Sequence, residues 1–332
     1  MARNYNNICL KKDLPLNIAM DIKDFPLPSR NPVVAADGHP IPLLYWPASG
    51  QARALVHLCH GMGEHAGRYE ELALKLNLAG YHVYAHDHRG HGPATSPADL
   101  GHYADDDGWH KVTSDVVAVQ QHIAALHPDL PRYLFGHSMG SFIAQGALVR
   151  HPGELNLAGL ILCGSTRDPL LKVRAMQSLV GLEKRLVGSR APSRLMGTLT
   201  FKAFSRKVKG RTTEFDWLSH DAEAVAAYMA DPCCGFDCST SLWEDLAGGL
   251  AELQAKGALE RIPAELPILI MGGAEDPVSD CGKGLKRLAA AYTRSHHTQV
   301  TLALLPSMRH EPLNETRRDE VHNLVVDWLT HH

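Results

Sequence analysis

From about residue 32 onward, short apolar runs alternate with longer stretches whose apolar residues recur every three or four positions. The runs 41–46, 53–59, 81–86, 132–135, 158–163, 267–271 and 299–304 read as strands. Several are continuously apolar, as strands covered on both faces must be. Between them, 110–127 carries Val112, Val116, Val119, Ile123 and Leu126 at steps of four and three, one stripe that can pack on a sheet. The last helix, 315–330, repeats the pattern with Val321, Leu324, Val325, Trp328 and Leu329. Strands alternating with helices predict an α/β fold, a mainly parallel sheet flanked by helices. The alternation breaks between about 165 and 257, where helical patterns follow one another with no strand between them. The chain therefore divides into an N-terminal extension (1–31), the first part of a core (32–164), a helical insertion (165–257) and the second part of the core (258–332).

Composition narrows the picture. Apolar residues are 45% and charged residues 21% of the 332, the balance of a globular protein with a large interior. A formal charge of −3 supplies no field that would draw nucleic acid, and none is expected as a partner. Seven cysteines scattered along a long chain read as reduced thiols and a cytoplasmic protein. Residues 1–24 mix charges with prolines and lack the apolar core of a leader, and no uncharged stretch reaches bilayer-spanning length. One local exception to the neutral balance stands out: between Arg167 and Arg211 twelve Lys or Arg face only Asp168 and Glu183. Cys233, Cys234 and Cys238 lack the paired spacing of a zinc site, and no metal or organic cofactor is expected.

The chemistry is concentrated in three loops. A strand, Tyr133-Leu134-Phe135, runs into Gly136-His137-Ser138-Met139-Gly140 and then into a helical pattern. In that context Gly-x-Ser-x-Gly places a serine on a sharp strand-to-helix turn, with its hydroxyl raised above the sheet and helix amides behind it. Ser138 is the candidate nucleophile. The charge that develops on an attacked carbonyl oxygen needs two preset amides. Met139 follows the nucleophile and offers one; Met62, in His60-Gly61-Met62-Gly63 after the strand at 53–59, offers the other. A serine needs an imidazole base held by a carboxylate, in the chain order Ser, acid, His. His310 lies in the loop after the strand at 299–304, and Asp276 in the loop after 267–271; Glu275 and Asp280 are its competitors. His296 and His297 precede their strand and read as surface histidines, while Asp87 precedes the serine and reads as structural.

Together these motifs resemble the monoacylglycerol lipase and lysophospholipase branch of the α/β-hydrolases. His60 to Tyr69 is similar to its oxyanion segment, Asp87 to Gly92 to its second signature loop, Gly136 to Gly140 to its nucleophile elbow, and His310 to Glu315 to the histidine loop of bacterial members. The resemblance implies an α/β-hydrolase fold with the insertion as a helical cap, a single-chain lipid ester as substrate, and Glu64 and Arg68 near the polar-head end of the pocket. It leaves two alternatives with the same fold: a small-ester esterase or proline-iminopeptidase-like peptidase, and a non-catalytic ligand-binding member. A basic, apolar-rich cap suits peripheral contact with anionic lipid at the inner face of the membrane.

Overall fold

A computed structural model describes residues 33–332; the N-terminal extension and the leader-free reading of residues 1–24 lie outside the described residues. A small antiparallel pair, β1 (Val33–Val34) and β2 (Pro40–Ile41), precedes a seven-stranded sheet. Its strands are β3 (Leu43–Trp46), β4 (Ala54–Cys59), β5 (Tyr81–His86), β6 (Arg132–His137), β7 (Gly159–Cys163), β8 (Ile268–Gly273) and β9 (Val300–Leu305). Their spatial order is β3-β5-β4-β6-β7-β8-β9, with β3 antiparallel to β5 and every other pairing parallel.

Strand periodicity sends alternate side chains into two separate cores. On β6, Tyr133 and Phe135 join the cluster that holds Leu72 and Leu76 of α1 (Glu70–Leu78) and Val321 and Val325 of α10 (Arg318–His331). Leu134 points the other way, into the cluster built by α2 (Gly108–Leu126), α3 (Met139–Arg150) and α9 (Lys283–Arg294). The predicted stripe of α2 is buried at Val112, Val116, Val119 and Ile123, but Leu126 is exposed because the helix ends there. His297 is likewise not a surface residue: it is buried, and its Nδ1 donates to the Tyr292 carbonyl at the end of α9.

Between β7 and β8 run five helices: α4 (Leu170–Val187), α5 (Arg194–Leu199), α6 (Phe201–Lys207), α7 (Ala222–Ala230) and α8 (Thr240–Glu252). Val180 of α4 packs with Leu242 and Leu246 of α8 in the main core. The opposite side of α4 exposes Leu171, Leu179, Leu182 and Leu186, one outward stripe at helical spacing. Of the twelve basic residues counted above, Lys172, Lys184 and Arg190 are paired, with Asp168, Glu244, and Asp99 and Asp105 respectively.

Candidate active site

Parallel strands aligned in one direction bring their carboxyl ends, and the loops that follow, to one edge of the sheet. Ser138 follows β6, Asp276 follows β8, His310 follows β9, and the His60–Gly63 turn follows β4. Ser138 sits at φ 50, ψ −119, a conformation that an L-residue holds only under tight constraint. That constraint is visible. A side chain at Gly140 would collide with the carbonyls of Cys59 and His60, so only glycine lets α3 approach β4 this closely. Ser138 N donates to Cys163 O (2.9 Å), and Ser141 Oγ donates to Ser138 O (2.6 Å).

Three predicted side chains converge. His310 Nε2 lies 2.9 Å from Ser138 Oγ, and His310 Nδ1 lies 3.1 Å from Asp276 Oδ1. The carboxylate can only accept, which puts the imidazole proton on Nδ1 and leaves Nε2 to accept from the serine hydroxyl. Asp276 is 0% exposed, and its Oδ1 also accepts from Val278 N (2.8 Å). Burial alone would lower the His310 pKa; the Asp276 carboxylate, with Glu311 and Glu64, more than offsets this and raises it above 6.5. The competitors are engaged elsewhere, Glu275 with His220 (3.3 Å) and Asp280 with Lys283 (3.4 Å). Asp87 Oδ1 accepts from Ala66 N (2.8 Å), tying two loops together as a structural residue does.

The turn after β4 is fixed from both sides. The His60 ring donates from Nδ1 to Gly61 O (2.7 Å) and accepts at Nε2 from His88 N (2.9 Å). Gly61 N is taken by Glu64 Oε1 (2.5 Å), which makes the next amide, that of Met62, the first available to a ligand. Met139 opens α3, so its amide has no partner within the helix.

Glu64 and Arg68 form a buried ion network. Glu64 Oε1 accepts also from Tyr69 OH (2.9 Å), and its Oε2 from Arg68 Nη1 (2.8 Å). Arg68 then grips Glu311 with two bonds, 2.7 and 2.8 Å. Burial would raise the Glu311 pKa, but Arg68 more than compensates and brings it down to about 2. Sequence reasoning did not single out Glu311; its signal was adjacency to His310. The oxyanion turn and the histidine loop are thus bolted together through one guanidinium. Glu64 reaches the pocket wall, whereas Arg68 lies behind it.

A narrow pocket opens over Ser138. Its floor is Gly61, Met62, Gly63, Ser138 and His310; its roof is Phe201, Phe215, Trp217 and Tyr228 from the segment between β7 and β8. Gly63 O accepts from Tyr228 OH (2.8 Å) and Gly235 N (2.9 Å), so the roof is anchored to the oxyanion turn. Trp217 was not anticipated, since its placement depends on how the insertion folds. Among the described residues two groups of potential metal ligands converge, His57, Cys59 and His86, and His65, Asp231 and Cys234. Their ring nitrogens are already engaged: His57 Nε2 with His86 Nδ1 (2.8 Å), and His65 Nε2 with Asp231 (2.9 Å) and Nδ1 with Gly67 N (3.2 Å).

Comparison with known proteins adds a lineage. Residues 50–317 match the family described as serine aminopeptidase, S33. The chain is 29% identical over 294 residues to a monoacylglycerol lipase of Mycolicibacterium smegmatis, covering 86% of this chain and 91% of the relative. It is 30% identical over 307 residues to the monoglyceride lipase of Homo sapiens, covering 90% and 89%. A solved thermostable carboxyl esterase from Bacillus coagulans, in complex with glycerol, superposes with a TM-score of 0.81 at 27% identity over 91% of this chain and 98% of that one.

Proposed function

The chain belongs to the serine aminopeptidase S33 family of α/β-hydrolases, in the branch of the monoglyceride lipases, and on that premise we propose that it cleaves single-chain lipid esters, monoacylglycerols foremost. The observation that carries the reading is the unbroken chain Ser138 Oγ, His310, Asp276, opening into a pocket roofed by aromatic rings. Ser138 Oγ attacks the ester carbonyl while His310 Nε2 takes its proton, and the amides of Met62 and Met139 hold the oxyanion. His310 returns that proton to the alcohol oxygen as the C–O bond breaks. Water then attacks the acyl-enzyme by the same route, releasing the fatty acid and restoring the serine.

Charge in the pocket discriminates among substrates. A lysophospholipid brings a phosphate, but Arg68 is committed to Glu64 and Glu311. An aminopeptidase must bind a substrate ammonium with a carboxylate, and both carboxylates at this wall already share hydrogen bonds with one arginine. The phosphate of a lysophospholipid therefore lacks a free counter-cation, whereas a neutral glycerol ester needs none.

Membrane contact is part of the proposal. No helix among the described residues is long and apolar enough to cross a bilayer. The exposed stripe of α4, with Leu171 81% and Leu186 76% exposed, lies among exposed Lys172, Arg174 and Arg185, the arrangement of a helix that rests in an anionic interface. A substrate panel tests the whole reading. Monolauroylglycerol should turn over faster than lysophosphatidylcholine and faster than alanine p-nitroanilide, with all activity absent in Ser138→Ala. Preference for either of the latter two would replace the monoacylglycerol reading.

A further inference from the structure

The loop that carries His310 runs from β9 to α10, and it is laced along its length to one short stretch of the roof, residues 216–220. Backbone pairs with backbone: His310 N donates to Trp217 O (3.4 Å) and Glu311 N to Leu218 O (2.8 Å). The Trp217 ring lies against the His310 ring at a centroid distance of 5.2 Å. Arg309 Nη1 donates to Asp216 O (2.6 Å) and to Ser219 O (2.9 Å), and Ser219 Oγ donates to Asn314 O (2.9 Å).

Both sides of this lacing meet in one carboxylate, Glu315, which is 1% exposed. Its Oε1 accepts from Arg309 N (2.8 Å) on the histidine loop and from His220 Nδ1 (2.9 Å) on the roof. Its Oε2 accepts from His220 N (3.1 Å) and Thr316 N (3.3 Å). Among the described residues its only ion-pair partner is His220. A carboxylate is costly to bury unless donors fill its oxygens, and every contact here is a donated N–H. An amide of the same shape would keep one acceptor and turn its own NH2 toward two of those donors. The Arg68 bolt is a separate device, since it grips the neighbouring Glu311 from the side of the oxyanion turn.

We infer that Glu315 is a positioning residue for the base: it pins the backbone at Arg309, one residue before His310, to His220 of the roof and so holds the imidazole between Ser138 and Asp276. The inference rests on the triad of the ester-hydrolase reading above and deepens it, since it makes a stretch of the roof part of what aligns the base. His310 is engaged on both ring nitrogens, at 2.9 and 3.1 Å, so it has little room to drift. Displacing a reacting group by about 1 Å can cost on the order of 100-fold in rate.

The rate at which a fluorophosphonate labels Ser138 tests this without depending on which ester is the substrate. Glu315→Gln should slow labelling, and lower kcat for monolauroylglycerol, about 10- to 100-fold with KM within about threefold, because the base is displaced and the pocket is not. The loss should run through the imidazole. Added to His310→Gln, the same change should slow labelling by less than about twofold more, since effects that act through one group do not add. His220→Ala withdraws one donor from a partly exposed position and should slow labelling about 3- to 10-fold, with the same behaviour beside His310→Gln; it decides the matter should Glu315→Gln fail to fold. A loss below twofold in either variant, a rise in KM with kcat unchanged, or losses that multiply in full with His310→Gln would overturn the inference. A His310→Gln protein that labels at the wild-type rate would instead contradict the triad, and the positioning role with it.

Discussion

The floor and the roof of the pocket are built on different principles. The floor comes from loops after β4, β6, β8 and β9, and nearly every polar atom in it is spoken for: Ser138 by His310, His310 by Asp276, Gly61 by Glu64, and Arg68 by two carboxylates. The roof comes from the helices between β7 and β8. It meets the floor loops through bonds to Gly63, His65, His310 and Glu311, through Arg309 and Glu315 at the rim, and over the pocket through aromatic faces. Its outer helix, α4, leaves leucines in the open. Chemistry that needs atoms fixed to a fraction of an ångström has been placed on the rigid sheet edge. Contact with a fluid, apolar substrate has been left to helices whose outer face carries exposed leucines.

Changes in the floor should cost the most. Ser138→Ala should lower ester turnover on the order of a million-fold with the far-ultraviolet circular dichroism unchanged, because the nucleophile is lost but the turn that holds it is not. Activity above a hundredth of wild type would mean another residue attacks. Asp276→Asn should cost about 10⁴-fold by leaving the imidazole without its orienting acceptor. It should also move the acid limb of the residual activity. The base works only when neutral, and its pKa is raised above 6.5, so wild-type activity falls as pH drops through a value higher than 6.5. Removing the carboxylate removes what offsets burial, and the limb should shift to lower pH; a limb that stays in place would mean another group sets it.

Arg68→Ala probes the bolt between the two floor loops. It leaves two buried carboxylates facing each other, and chemical denaturation should show a loss of about 3–5 kcal/mol. A loss below about 1 kcal/mol would indicate that the network is a surface-like ion pair. Changes in the roof should be milder and selective. Leu171→Asp combined with Leu186→Asp should abolish co-sedimentation with anionic vesicles while turnover of a short p-nitrophenyl ester stays within about twofold, since neither side chain lines the pocket. Vesicle binding that survives would remove α4 from the membrane account.

The same division explains what the sequence could reveal. All seven strands of the large sheet were visible as apolar runs, because a buried parallel strand needs apolar residues on both faces and leaves a local trace. Once strands and loops are assigned, parallel topology alone brings Ser138, Asp276 and His310 to one edge. The insertion was visible only as helices. Which of its residues would cover His310 depends on packing among five helices, so Trp217 had no local signature. Glu311 was overlooked because a carboxylate beside a histidine reads as solvated until an arginine from a distant loop is found between it and Glu64. His297 and Leu126 show the converse error: loop position predicted exposure for the first and periodicity predicted burial for the second, and both expectations failed next to a helix end.

The central claim is that the imidazole at 310 is the base for the hydroxyl at 138, and the rate of covalent labelling by a fluorophosphonate reports it most directly. In the wild-type protein the label should be found on Ser138, with a rate that rises with pH to a half-maximum above 6.5, and His310→Gln should label at least a thousandfold more slowly, on the order expected for loss of a triad base. Labelling of another serine, or a His310→Gln rate close to wild type, would contradict the account.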